Sequence, residues 1–404
     1  MSFDIQDRPR PNDCDRMSSN YDKRGVSADK SEVHAAIQGL DKGLFPNAFC
    51  KILPDLASGD PEWCNLMHAD TAGTKTALAY LYWKETGDLS VWKGIVQDAL
   101  VMNLDDMACV GVTDGILVSS TIGRNKHLVP GEVVSALIQG AQELVERWAD
   151  WGIHVKMAGG ETADVGDIVR TLDVGYTAFA RIPRAEVIEN AIQPGNVIVG
   201  LASFGQARYE TAYNSGIGSN GLTNARHDVL NRYYAEEFPE SYAHQTPREV
   251  IYMGPHRLTD ELPGLPLNVG QMLLSPTRTY LPFVKALLAS HRASIHGMIH
   301  NTGGGQTKCM KFVKGLRVIK DNLFDTPPVF NLIRQCSKAN WREMYQVFNM
   351  GHRLEIYTDE ATASALIALA DNFGIEAQVI GRTEAQEQGK SLLIKAEDEL
   401  EWAW

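Results

Sequence analysis

The sequence predicts an α/β (α+β) protein built in two halves of similar size, and three observations carry that prediction. Strand-like and helix-like hydrophobic periods interleave along the chain. A proline-marked break at Arg181-Ile-Pro-Arg184 divides them into two units. With 404 residues, 44% of them hydrophobic, each unit has enough apolar material for its own core.

Taken in order, residues 1–30 carry Pro9, Pro11 and many Asp, Asn and Ser, the composition of an arm. Ser31-x-x-His with Val33, Ala36, Ile37 and Leu40 predicts a short capped helix. Pro130 opens a stronger one, in which Val133, Leu137, Leu144 and Trp148 share a face. Ile153 to Met157 alternates like a half-buried strand, and Thr171 to Ala180 reads as another. Beyond the break, Asn196 to Leu201 reads as a buried strand and Thr223 to Tyr234 as a helix. Thr279 to His291 predicts an amphipathic helix, and Ser294 to Ile299 a strand. Arg353 to Tyr357 alternates, Thr362 to Phe373 is an Ala/Leu helix capped by Gly374, and Ala377 to Ile380 and Leu392 to Ile394 are short strands. The expected divisions are an arm at 1–30, a first domain at 31–182, a second at 183–390 and a strand with tail at 391–404.

With 38 Lys+Arg against 50 Asp+Glu the formal charge is −12, and no dense basic stretch is present. A nucleic-acid binder needs such a footprint to displace counterions, so that class is excluded. Any anionic ligand must be met locally. The six cysteines lie more than five residues apart, which excludes a local zinc knuckle and suits a reducing compartment. No signal-like or membrane-spanning apolar run occurs, and the expected location is the cytoplasm.

Four stretches carry chemistry. His68-Ala-Asp70-Thr71-Ala-Gly73-Thr74-Lys75 has the form of a phosphate cradle: small residues expose backbone N–H groups at a helix start, and Lys75 supplies charge. An ordinary solvated turn is the alternative. Asp105 and Asp106 interrupt an apolar run from Ala99 to Val112; adjacent residues do not share a helical face, so at most one is expected inside. Gly159-Gly160-Glu161-Thr-Ala-Asp164 follows the Met157 strand as a turn with two hard oxygen ligands. Asp70, Asp106, Glu161 and Asp164 together form a candidate Mg²⁺ cluster. Gly216-Ile-Gly218-Ser219-Asn220-Gly221 matches a dinucleotide fingerprint only formally, because no strand immediately precedes it, and is better read as an anion-binding turn; His300-Asn-Thr302-Gly303-Gly304-Gly305 is another.

These landmarks, with Tyr21-Asp-Lys-Arg-Gly25-Val26, Leu274-Ser-Pro-Thr-Arg-Thr-Tyr280 and Glu343-Met-Tyr-Gln-Val-Phe-Asn-Met-Gly351, occur in an order and spacing that resembles the phosphoribosylformylglycinamidine cyclo-ligase (aminoimidazole ribonucleotide synthetase) family from about Tyr21 to Ala385. The resemblance implies two α/β domains, the first pairing its sheet with that of a second copy in a homodimer, and an ATP site near that interface. It implies ATP-dependent ring closure of formylglycinamidine ribonucleotide, with ATP and Mg²⁺ as cofactors. On that reading Lys75, Asp106 and His300 serve catalysis. Asp70, Gly73, Thr74, Lys75, Gly159 and Gly160 hold the nucleotide. Ser219, Asn220, Gly221, Thr302, Gly303 and Gly304 hold the substrate's ribose phosphate.

Three departures stand out. The glycine-rich loop that the family usually has after its first helix is missing between Lys42 and Trp63, and the histidine that usually precedes Ser-Asn-Gly is Gly218 here, which shifts any acid–base work to His300. There is also additional sequence between Arg226 and Leu274. The alternatives are another ATP-using relative, such as a thiamine-monophosphate kinase or a selenophosphate synthetase, and a non-catalytic nucleotide-binding homologue.

Overall fold

A computed structural model describes residues 20–26, 36, 37 and 39–404. Most of the arm and of the helix expected from Ser31 lies outside the described residues. Where the arm is described it is docked: Arg24 is buried and donates to Asp228 at 2.6 Å and to the Val250 carbonyl at 2.9 Å.

Each half builds one sheet. In the first, β1 (Leu53–Pro54), β2 (Trp63–Thr71), β3 (Ile116–Arg124), β4 (Val155–Asp164) and β5 (Leu172–Pro183) take the order β1-β2-β5-β3-β4. Only β3 and β4 run parallel, and the Gly131–Ala149 helix makes the crossover that a parallel pair requires. In the second half β6 (Val197–Ala202), β7 (Ile295–His300), β8 (Leu316–Lys320), β9 (His352–Thr358), β10 (Ala377–Ala385), β11 (Ser391–Lys395) and β12 (Glu399–Ala403) give the order β12-β11-β8-β10-β6-β9-β7. Residues beyond 390 thus complete this second sheet, with β11 parallel to β8.

Four expectations are corrected. Gly159 to Asp164 is not a turn: the strand continues through it as the edge of the first sheet, with a register shift opposite Val118 and Ser120. The Thr223 helix ends at Val229, and a separate short helix covers Tyr233–Glu237. The Arg353 segment is buried along its whole length, because β9 lies between β6 and β7. Asp105 and Asp106 are both buried. Their helix, Val91–Ala108, packs on the first sheet, on the Gly131–Ala149 helix and on the Leu281–His291 helix of the other half, so it has no solvent face there.

The additional sequence after Arg226 folds against the Lys75–Thr86 helix. Tyr80 donates to Glu240 at 2.6 Å, and Arg257 reaches Glu85 at 2.7 Å while stacking on Tyr233.

Candidate active site in the seam between the halves

The Val91–Ala108 helix carries three carboxylates into the seam, and each meets groups from the second half. Asp98 accepts from Lys75 Nζ at 2.9 Å, Ser219 Oγ at 3.0 Å, and the backbone and hydroxyl of Thr277 at 2.7 and 2.6 Å. Lys75 also donates to the carbonyls of Gly218 at 3.0 Å and Ser275 at 2.7 Å. An ammonium has three donors, so Lys75 is fully committed to joining the halves and is not presented to phosphates at the loop surface. Asp105 accepts from Thr279 Oγ1 at 2.6 Å and Tyr280 N at 2.9 Å. Burial raises its pKa to about 7 against the lowering effect of those two donors.

Asp106 is the centre of a four-residue chain. Its Oδ1 lies 2.7 Å from His300 Nδ1, and its Oδ2 lies 3.3 Å from His68 Nε2. His300 Nε2 is 3.1 Å from Arg353 Nη2. A guanidinium only donates, so Nε2 holds the lone pair and Nδ1 the hydrogen that Asp106 accepts. Burial keeps the His300 ring neutral, with a pKa of about 4 that the nearby Arg353 lowers and Asp106 raises. At the other end, Asn103 Nδ2 donates to the Ala99 carbonyl at 2.9 Å and faces the Asp70 carbonyl at 3.4 Å, which turns its Oδ1 toward His68 Nδ1 at 3.1 Å. Both ring nitrogens of His68 therefore face acceptors, the arrangement of an imidazolium. Although burial opposes it, the Asp106 carboxylate raises the His68 pKa. Burial also works against the Asp106 charge, but Lys308, His300 and His68 together hold its pKa well below the carboxylate range. His300 is fully buried with both nitrogens engaged and is not placed to take a proton from a ligand. His68, with a side chain 22% exposed beside the Asp70 loop, is the end of the chain that meets solvent.

The three glycine turns border this seam. Gly73 (φ +58°) and Thr74 are exposed at the start of the Lys75–Thr86 helix, where Thr74 meets Thr223 hydroxyl to hydroxyl at 2.7 Å. Asn220 and Gly221 open the Leu222–Val229 helix, and a Cβ on Gly221 would lie 2.4 Å from Phe348. Thr302 accepts from Lys308, while Gly303 and Gly304 are half-buried at the mouth of their turn. Sequence reasoning missed His68, Asp98, Lys308 and Arg353. A buried Asp-Lys pair has no local pattern, and Arg353 reads as an outward residue in an alternating strand.

The four candidate metal ligands do not converge. Asp70 and Gly160 stand at one level of the first sheet, but Tyr176 of β5 and Ser120 of β3 lie between them. Three strand spacings separate them by about 14 Å. Asp106 is occupied by two imidazoles, Asp164 pairs with Arg124 at 2.7 Å, and Glu161 is exposed at the edge strand. Among the described residues no three His, Cys, Asp or Glu side chains are arranged to hold an ion, so a resident four-carboxylate Mg²⁺ centre does not fit one copy of this chain.

Two α/β domains in series, with their charged groups meeting in the seam, define a two-domain protein whose site is assembled from both halves. Residues 51–182 match the family described as AIR synthase related protein, N-terminal domain, and residues 256–394 match AIR synthase related protein, C-terminal domain. The chain belongs to this family. It is 28% identical over 287 residues, 70% of each chain, to a protein of Methanocaldococcus jannaschii named phosphoribosylformylglycinamidine cyclo-ligase. A protein of the same name from Desulfotalea psychrophila is 25% identical over 389 residues, covering 92% of this chain and 94% of the relative. Among solved structures, T. maritima PurL complexed with FGAR superposes with a TM-score of 0.51 at 12% identity, over 94% of this chain and 53% of that one. The chain spans about half the length of that structure, and the likeness concerns the fold alone.

Proposed function

We propose that this chain catalyses the ATP-dependent closure of formylglycinamidine ribonucleotide to 5-aminoimidazole ribonucleotide, a step of purine biosynthesis in the cytoplasm. What carries the reading is the seam: in a chain whose two halves match the two domains of one family, Asp98, Asp106, Ser219, Thr302 and Lys308 come together from both. The exposed Gly73–Thr74 turn, at a helix start, suits the nucleotide's phosphates. The Ser219–Gly221 and Thr302–Gly304 turns suit the ribose phosphate. ATP passes its terminal phosphoryl group to the amide oxygen and ADP leaves; the internal nitrogen then attacks the activated carbon and loses its proton, and inorganic phosphate leaves with the former amide oxygen. Cyclisation needs a folded substrate held in line more than covalent help from the protein. Asp106 holds its charge, and His68 carries the part-exposed end of its chain. Mg²⁺ would arrive with the nucleotide's phosphates.

A homodimer belongs to the same reading. Met67, Phe179 and Leu117 are cross-strand neighbours on the uncovered face of the first sheet, and Met67 and Leu117 are 62% and 44% exposed. A second copy packed there would cover them. Met67→Lys is expected to convert the dimer to monomer by light scattering.

The deciding assay mixes protein, ATP, Mg²⁺ and formylglycinamidine ribonucleotide and looks for aminoimidazole ribonucleotide with one phosphate released per ring closed. A stable phosphorylated product instead would point to a kinase and overturn the proposal.

A further inference from the structure

We propose that Arg353 is a positioning residue, which fixes the ring of His300 and through it the Asp106 carboxylate; this rests on the seam being the reaction site. Arg353 sits on β9 and is 1% exposed, so it touches no ligand itself. Its Nη2 donates to His300 Nε2 at 3.1 Å, which leaves the ring one tautomer and one orientation, with Nδ1–H aimed at Asp106 2.7 Å away. Rotating the ring by half a turn would set a carbon–hydrogen edge against both partners. Asp106 is thereby held from behind, with its second oxygen toward His68.

The space for the guanidinium comes from the Ser-Asn-Gly turn. Gly218 has φ +72°, and a Cβ there would lie 1.8 Å from Arg353 Nη1. Nothing larger than glycine leaves room. The departure noted in the sequence, glycine where the family usually has histidine, thus has a counterpart within the same half: the volume a side chain at 218 would need is filled by a cation from β9.

A merely charge-balancing Arg353, offsetting Asp98, Asp105 and Asp106, would not set the His300 tautomer, and the test exploits that difference. Full-length protein labelled with ¹⁵N-histidine is compared as wild type, Arg353→Met, Arg353→Lys and Gly218→Ala. The wild-type His300 ring is expected to show a protonated Nδ1 and an unprotonated Nε2. In Arg353→Met the two nitrogens should shift toward a mixture, kcat should fall tenfold or more with KM within about twofold, and Arg353→Lys should restore part of both. If Arg353→Met does not fold, Gly218→Ala displaces the guanidinium from its other side and should produce the same ¹⁵N change. An unchanged Nδ1–H tautomer in the folded variants overturns the proposal. Because the ring-nitrogen shifts need no substrate, they decide it even if the wild type fails to make aminoimidazole ribonucleotide, a result that would count against the functional reading alone.

Discussion

Glu355, inside the seven-stranded sheet, and Asp106, in the seam, are both buried carboxylates surrounded by cations and imidazoles. Glu355 accepts from Lys320 at 2.5 Å, Asn301 at 2.7 Å and Tyr357 at 2.8 Å, with His352 Nε2 at 3.1 Å, and all of these partners are buried. Its network is sealed from solvent, and within it Asn301 Oδ1 lacks a partner. Asp106 instead belongs to a chain that runs from buried Arg353 to part-exposed His68, and around it Asp98 Oδ2 and Arg353 Nε lack partners. A network sealed from solvent can only hold the fold together, whereas one that reaches the surface through His68 can respond to a ligand there. The same chemical groups thus hold the fold in one place and, on the proposed function, serve chemistry in the other.

The largest effect should come from opening the sealed network. Lys320→Met leaves Glu355 charged and without its cation, and urea unfolding should show a loss of about 3–5 kcal/mol. The double variant Lys320→Met, Glu355→Leu should recover most of it; a single variant as stable as wild type would erase the contrast. Next, Asp106→Asn should lower kcat by roughly 10²–10³-fold, on the scale of losing one preorganised charged group, while shifting the unfolding midpoint little. Equal losses in stability and activity would make Asp106 a second Glu355.

Two glycines of one turn sharpen the comparison further. A Cβ on Gly305 would lie 2.6 Å from the Tyr345 carbonyl at φ +50°, while one on Gly303 meets nothing within 4 Å. Gly305→Ala should therefore cost about 1–3 kcal/mol of stability. Gly303→Ala should leave the melting curve in place and raise KM for the phosphorylated substrate, as measured by steady-state kinetics.

The smallest effect concerns pH. Asp114 bridges the halves through Lys285 at 2.5 Å and meets His154 of its own half at 3.1 Å. Partial burial raises its pKa, but Lys285 and His154 outweigh that and bring it to about 2. A carboxylate whose folded pKa is depressed stabilises the fold above its unfolded value near 4, and that contribution is lost as pH falls toward 2. The group is well exposed, so solvent screening limits the effect to at most about 1 kcal/mol. Acid unfolding of Asp114→Asn should lose this part of the slope between pH 4 and 2.

Local signals were read where the physics is local. Pro130 and the apolar face behind it located the Gly131–Ala149 helix, and Gly374 at φ +66° ends its helix as expected of a left-handed cap. The edge strand was misread because a Gly-Gly pair followed by acids is turn-like in isolation; on the outermost strand those residues face water and need no partner. The burial of both Asp105 and Asp106 escaped a one-face argument, which assumes that a helix has one covered side.

By itself the sequence determined the class of fold and the residues at which the turns at Gly73, Gly221 and Gly303–Gly305 fall, since periodicity and backbone freedom act over a few positions. It also determined the family, through the order of its motifs. Which charges meet was decided only by tertiary structure. Lys75 lies 23 positions from Asp98, and Asp106 lies 194 from His300. Those distances in sequence are closed by packing the Val91–Ala108 helix between the first sheet and the second half, and a buried charge takes its state from whatever that packing places beside it.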